Sequence, residues 1–223
     1  QSHLGLHVSV EPTLTGLIEG ARAAASQVAS AWLAHSRLAG KPRIALQAVA
    51  LNKDGHDTRE ILTLEHLQQA LLESRRIILE APAGRGKTTT LIQLAELQRA
   101  QAGLVFLIDL PGWVQANQDI FEFVAGTPSF RSRGINARAL AQAYDTIPCS
   151  FLLNGWNEVT DEHSDGAVRV FAELERNYPK AGIIVATRTH YIPPPLRGSF
   201  RARLLPLNRQ QRAAYLREAL AGQ

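Results

Sequence analysis

The run Ala81-Pro82-Ala83-Gly84-Arg85-Gly86-Lys87-Thr88 follows a short apolar segment and opens a helical one. Small residues in succession let consecutive backbone N–H groups turn inward around anionic oxygens. A helix starting at Lys87 adds its free N–H groups and the positive end of its dipole. This is the arrangement of a P-loop, with Ala81 where the first glycine of the usual pattern stands, a change that adds only a Cβ. Lys87 would reach the β- and γ-phosphates of a nucleotide, and Thr88 would offer its hydroxyl to Mg²⁺. Thr89 completes the cofactor-binding stretch 81–89.

A phosphate loop holds nucleotide, but turnover needs a carboxylate on a neighbouring strand. Phe151-Leu152-Leu153-Asn154-Gly155-Trp156-Asn157-Glu158 is the best candidate: an apolar strand ends in a polar side chain, then a glycine, then an acid four residues on. Glu158 reads either as a general base or as a solvated loop acid. Asp109, after the apolar run 104–108, reads as a substitute acid near the site or as a helix cap or turn residue. The lone cysteine, Cys149, cannot form an internal disulfide or a multi-cysteine zinc site and reads as a small buried residue. The seven histidines show no ligand spacing. Asp54-Gly55-His56-Asp57 reads as a turn.

These residues need elements to position them. Leu14, Leu17, Ile18, Ala21, Ala25, Val28, Trp32 and Leu33 recur near helical spacing, which predicts a helix from Thr13 to about Ala39. A short strand is expected within 44–51, a polar turn over 52–57, and a second helix over 63–74 with Thr63 as N-cap and His66 at the capping-box position. From there strands and helices alternate. Strands are expected at 76–80, 104–108, 150–153, 182–186 and 203–205. Helices are expected at 87–99, 118–124, 137–144, 165–177 and 208–220, the last capped by Asn208. Such alternation predicts an α/β fold, a five-stranded parallel sheet covered by helices on both faces. The expected organisation is an N-terminal helical and linker segment (1–60), a P-loop core (61–207) and the start of a further helical domain (208–223).

The order of elements, the Asn154-Gly155-Trp156-Asn157-Glu158 run and the strand end Val185-Ala186-Thr187-Arg188 resemble the NACHT branch of the STAND NTPases over about residues 60–220. The resemblance implies a P-loop NTPase of the ASCE/STAND type. In that family the matching run is usually Asp-Gly-x-Asp-Glu. It implies that Asn154 takes the metal-side aspartate position, Glu158 the water-activating acid, and Thr187-Arg188 the position that reads the γ-phosphate. Leu205-Pro206-Leu207 before a helix resembles the family's exit from the nucleotide domain. The amides at 154 and 157 depart from the pattern. A neutral amide accepts a bond from metal-bound water but contributes no charge, which weakens metal binding and puts hydrolysis in question.

The composition is that of a folded chain, with 45 % apolar and 20 % charged residues in 223. No run of about 18 apolar residues occurs, and no charged stretch leads into an apolar N-terminal segment. With a single cysteine, a cytoplasmic setting is expected. The absence of methionine, even at position 1, reads as a segment excised from a longer chain. From Asn177 onward eight basic residues face one acid, Glu218. That bias fits a solvated surface, a face for a missing C-terminal domain, or a nucleic-acid partner, though no recognised nucleic-acid motif accompanies it. No Asn-Lys-x-Asp run is present to select guanine, so ATP or ADP with Mg²⁺ is the expected ligand.

The leading expectation is a slowly hydrolysing ATP-dependent signal-transduction switch that controls oligomer assembly in immune or antiphage defence. Its missing partners would be helical, winged-helix and sensor domains of the same protein. The alternatives are an AAA-like ATPase acting on nucleic acid and a nucleotide-holding scaffold with little turnover.

Overall fold

The computed structural model describes residues 13–35, 44–73, 75–101 and 103–221. Helix α1 (Leu14–His35) precedes a hairpin of β1 (Ala48–Leu51) and β2 (Asp57–Leu62), then α2 (Leu64–Leu72). The alternating region follows as β3 (Arg76–Glu80), α3 (Lys87–Ala100), β4 (Leu104–Asp109), α4 (Leu110–Ala116), α5 (Ile120–Gly126), α6 (Pro128–Arg131) and α7 (Ala137–Thr146). It continues as β5 (Cys149–Asn154), α8 (Ser164–Asn177), β6 (Gly182–Thr187), β7 (Phe200–Leu204) and α9 (Arg209–Ala221).

The sheet order is β2-β1-β7-β3-β6-β5-β4. The five strands from β7 to β4 are mutually parallel, as the alternation predicts, and helices cover both faces. The expected strand count of five is corrected to seven, because β1 pairs antiparallel with β7 and with β2. Strand β2 hid in the sequence because it is an edge strand with five of its six residues exposed, so it shows no apolar alternation. Strand β7 starts three residues earlier than expected; Arg201 and Arg203 alternate there with buried Ala202 and Leu204. Helices α4 and α6 were also unexpected. Pro111 and Gly112 disguise α4, which is nevertheless started by Asp109, whose Oδ2 accepts from the Gly112 N–H at 3.0 Å. Thr63 and His66 form a reciprocal capping box, the imidazole Nδ1 standing in for the usual carboxylate.

Alternate residues of the parallel strands feed two cores. Phe106, Phe151 and Ile183 pack with Trp113, Phe121 and Phe171 on one face. Leu79, Leu152 and Ile184 pack with Leu67, Leu91 and Leu94 on the other. Strands buried on both faces read as the continuous apolar runs seen in the sequence. Helix α1 straddles the sheet's β4 edge: Ile18, Ala21 and Ala24 join the first core, while Ala29, Trp32 and Leu33 lie against the second. Among the described residues no helix is long and apolar enough to cross a membrane.

Candidate functional site

The carboxyl ends of β3, β4, β5 and β6 open into one cleft of about 720 Å³. Its floor is the β3–α3 loop. Gly86 stands at the N-cap of α3 with φ 89°, and no side chain caps the helix, so the first N–H groups are left to face the cleft. Gly84 is also left-handed, with φ 72°. A Cβ on Gly86 would displace only the flexible end of Leu46, so it is the left-handed conformation that calls for glycine here.

Residues Ala83 to Thr89 line the cleft, joined by Asp109, Asn154, Gly155, Asn157, Glu158 and Arg188. Ala81 is fully buried beneath it. The Ala81 N–H donates to the Thr187 carbonyl at 3.1 Å, and the Thr189 N–H donates to the Ala81 carbonyl at 3.3 Å. The loop is thereby fastened to the end of β6, which sets Arg188 across from it. Lys87 Nζ donates to the carbonyls of Ala81 at 3.0 Å and Pro82 at 3.3 Å. Burial holds the Lys87 ammonium below its ordinary pKa; the Arg188 charge pushes the same way and Glu158 opposes it. Two cations and a carboxylate therefore act on one another across the cleft.

Asn154 ends β5 in register with Asp109 on β4, so the two side chains share a face. After Asn154, Gly155 turns the chain at φ 96° into a 3₁₀ turn over Trp156–Glu158. Trp156 anchors that turn by donating from Nε1 to the Ile192 carbonyl at 2.6 Å and by an edge contact with Phe171. Glu158 is exposed at the mouth, its N–H bonded to the Gly155 carbonyl at 2.8 Å. Asn157 Oδ1 and Thr187 Oγ1 are buried without a hydrogen-bond partner.

Among the described residues no group of three or more His, Cys, Asp or Glu side chains is placed to hold a metal ion. A caged metal centre does not fit. The oxygen donors that line the cleft are the Thr88 hydroxyl, the Asn154 amide and the Asp109 and Glu158 carboxylates. That set suits a Mg²⁺ ion carried mainly by phosphates and water.

Sequence reasoning missed two parts of the surroundings. A second cavity of about 360 Å³ adjoins the loop, sharing Gly84, Arg85, Gly86 and Thr89 and walled by Ile44, Leu46, Leu205, Pro206, Leu207 and Tyr215. The Leu205-Pro206-Leu207 run was legible; its meeting with Leu46 and Tyr215 was not. The other is the end of α1, whose Ala31, Trp32 and His35 join the wall of the phosphate cleft. Two of the basic residues grouped near the C-terminus are taken up internally. Arg201 pairs with Glu80 at 2.6 Å, and Arg203 pairs with Asp57 at 2.7 Å while also lying 3.9 Å from Glu80. Cys149 is buried, and burial raises its thiol from 9.0 to about 12.

The chain matches no family model and no curated protein. Among solved structures it is similar to one described as a crystal structure of DNA replication initiation factor, with a TM-score of 0.47 and 18 % identity over 70 % of this chain. The match covers 49 % of that structure, so this chain spans about half its length. The class is defined by the chain's own geometry: a P-loop α/β fold, with parallel strands around a glycine-rich loop that opens a helix.

Proposed function

We propose that this chain is an ATP-binding and slowly hydrolysing switch module of the NACHT type, controlling oligomer assembly in immune or antiphage defence. The observation that carries the reading is the convergence of Lys87, Arg188 and Glu158 on a cleft floored by the uncapped start of α3. A polyanion is the ligand that such a floor and two cations accommodate. The adjoining cavity, with Leu46, Pro206 and Tyr215 in its wall, seats a flat, largely apolar base on the far side of the same loop. In sequence, the 154–158 run and the 185–188 strand end support the NACHT branch over other P-loop proteins.

Each residue then has a task. The loop N–H groups and Lys87 hold the β- and γ-phosphates, with Lys87 exchanging its two loop carbonyls for phosphate oxygens. Thr88 and the Asn154 amide would hold Mg²⁺ or its waters, and the ion supplies charge neutralisation along the phosphates. Glu158 accepts a proton from an attacking water. Arg188 places positive charge beside the departing or retained phosphate. The amides at 154 and 157 favour a second reading, a scaffold that holds nucleotide with little turnover.

Thermal unfolding with ADP and ATP tests the first step. Ligand at 100 times its dissociation constant adds about 2.7 kcal/mol of stability. Lys87→Ala is expected to abolish most of that gain, and an equal shift in wild type and variant refutes the assignment. Turnover by wild type that is lost in Glu158→Gln, with binding retained, separates the switch from the scaffold.

A further inference from the structure

We propose that the last turn of α1 belongs to the nucleotide site and distinguishes a triphosphate from a diphosphate, through His35 backed by Trp32. This rests on the nucleotide reading above. The two cavities lie on either side of the β3–α3 loop, and they divide the nucleotide between them. The cavity suited to the base is walled by 44–46, 205–207 and α9, and α1 has no residue in it. Ala31, Trp32 and His35 line only the phosphate cleft, together with Glu158, Asn154 and Arg188. The part of the ligand that α1 faces is therefore its phosphates, where the two nucleotides differ, and not its base.

The chemistry of that turn suits the task. His35 is exposed, and its Nδ1 lies 2.8 Å from the Ala31 carbonyl. A carbonyl only accepts, so Nδ1 carries the hydrogen and Nε2 is left for another partner. Nε2 is thus the free edge of the ring, and an imidazolium presents a donor there to an anionic oxygen. Trp32 is half-buried against the core beneath α3 and fixes the azimuth of the turn. Other charged groups lining the cleft are Arg85, Lys87, Asp109, Glu158 and Arg188. Lys87 and Arg188 serve the phosphates from the loop and the end of β6, and His35 would add a contact from α1.

The seating of α1 on α3 and β4 is what such a contact would bias. Small residues Ala25, Ser26, Ala29 and Ser30 leave a crevice of about 160 Å³ against α3 and β4. Polar ties include Arg99 to Ser26 at 2.5 Å and Arg133 to Gln27 at 2.7 Å. By linkage, a ligand that binds better when α1 is docked must tighten that docking.

Calorimetric titration of the chain with Mg²⁺-ADP and with the Mg²⁺ complex of a non-hydrolysable β,γ-imido ATP analogue tests the proposal. His35→Ala is expected to weaken the analogue about tenfold, the worth of one hydrogen bond to a charged group, and to leave ADP unchanged. His35→Gln, which keeps a donor near the Nε2 position, is expected to restore most of the loss. Amide hydrogen exchange over 26–35 is expected to be slower with the analogue than with ADP. Equal loss for both nucleotides, no loss for either, or equal exchange overturns the proposal while leaving the nucleotide reading intact. Wild type that binds neither nucleotide overturns both.

Discussion

Asn154→Asp is the perturbation that most directly probes the metal side of the cleft. Residue 154 is half-buried and pairs in register with exposed Asp109 on the neighbouring strand. Adjacent strands lie about 4.8 Å apart, so a carboxylate at 154 faces the Asp109 carboxylate at about 5 Å. Two like charges at that distance repel by about 0.8 kcal/mol in bulk water and about 3 kcal/mol at an effective dielectric near 20. One exposed and one half-buried partner place the cost at about 1–2 kcal/mol, a fall in melting temperature of about 2–8 °C for a chain of this length. Mg²⁺ is expected to recover that loss, because the two carboxylates then flank a cation. The assay is thermal unfolding of wild type, Asn154→Asp and the neutral control Asn154→Ser, each without metal and over a Mg²⁺ titration, with and without ADP. Only the aspartate variant should show the metal-free loss and the added Mg²⁺ dependence. A metal-free melting temperature equal to that of Asn154→Ser, or an unchanged Mg²⁺ response, would refute the placement of the metal beside 154.

Three further outcomes follow from the same geometry. Gly86→Ala forces a left-handed alanine and pushes the end of Leu46 aside, which is expected to cost about 1–2 kcal/mol and to weaken nucleotide binding; unfolding curves and ADP titration check both. Glu80→Ala leaves Arg201 and Arg203 facing a buried gap, and since these arginines are 30 % and 24 % exposed the loss should be about 2–3 kcal/mol, short of a fully buried pair. Denaturant unfolding reads it, and a loss below about 0.5 kcal/mol would show that Glu80 is not the anchor of β7. Cys149 stays protonated in the fold up to about pH 12 but ionises from about 9.0 once unfolded, so above 9.0 the unfolded state binds fewer protons and stability falls as pH rises. Native protein at pH 8 should accordingly react with a thiol reagent only at the rate of unfolding.

The parallel sheet was legible because its strands are buried on both faces and flanked by helices of clear periodicity. The phosphate loop and the 154–158 turn were legible because backbone conformation there demands particular small residues, as the left-handed Gly86 and Gly155 show. Strand β2 was not legible, since an edge strand is specified by its pairing partner rather than by its own side chains. The wall formed by Ile44, Leu46, Pro206 and Tyr215 was invisible for a related reason: its members are distant in sequence and individually ordinary. Trp32 was read as one more apolar residue on a helical face. Only the packing of α1 along α3 shows that the same helix also ends at the cleft.

The way α1 lies along β4 has a consequence for how the chain folds. The sheet has two edges of opposite character. At β2 the residues Asp57, Arg59 and Glu60 are exposed, a charged margin that discourages pairing with a stray strand. At β4 the margin is Leu104-Val105-Phe106-Leu107-Ile108, which carries no charge before Asp109 and relies on a helix for cover. The described part of that helix spans 14–35 and its strand begins at residue 104, so the contact is distant in sequence and its closure is slow relative to local helix formation. During synthesis α1 leaves the ribosome well before β4 does, and it waits for its seat. Until the two meet, an uncharged apolar strand edge is open to a second nascent chain. Expression at low temperature or with a chaperone that binds extended apolar segments should therefore raise the soluble yield of this chain more than any stabilising change at the β2 margin.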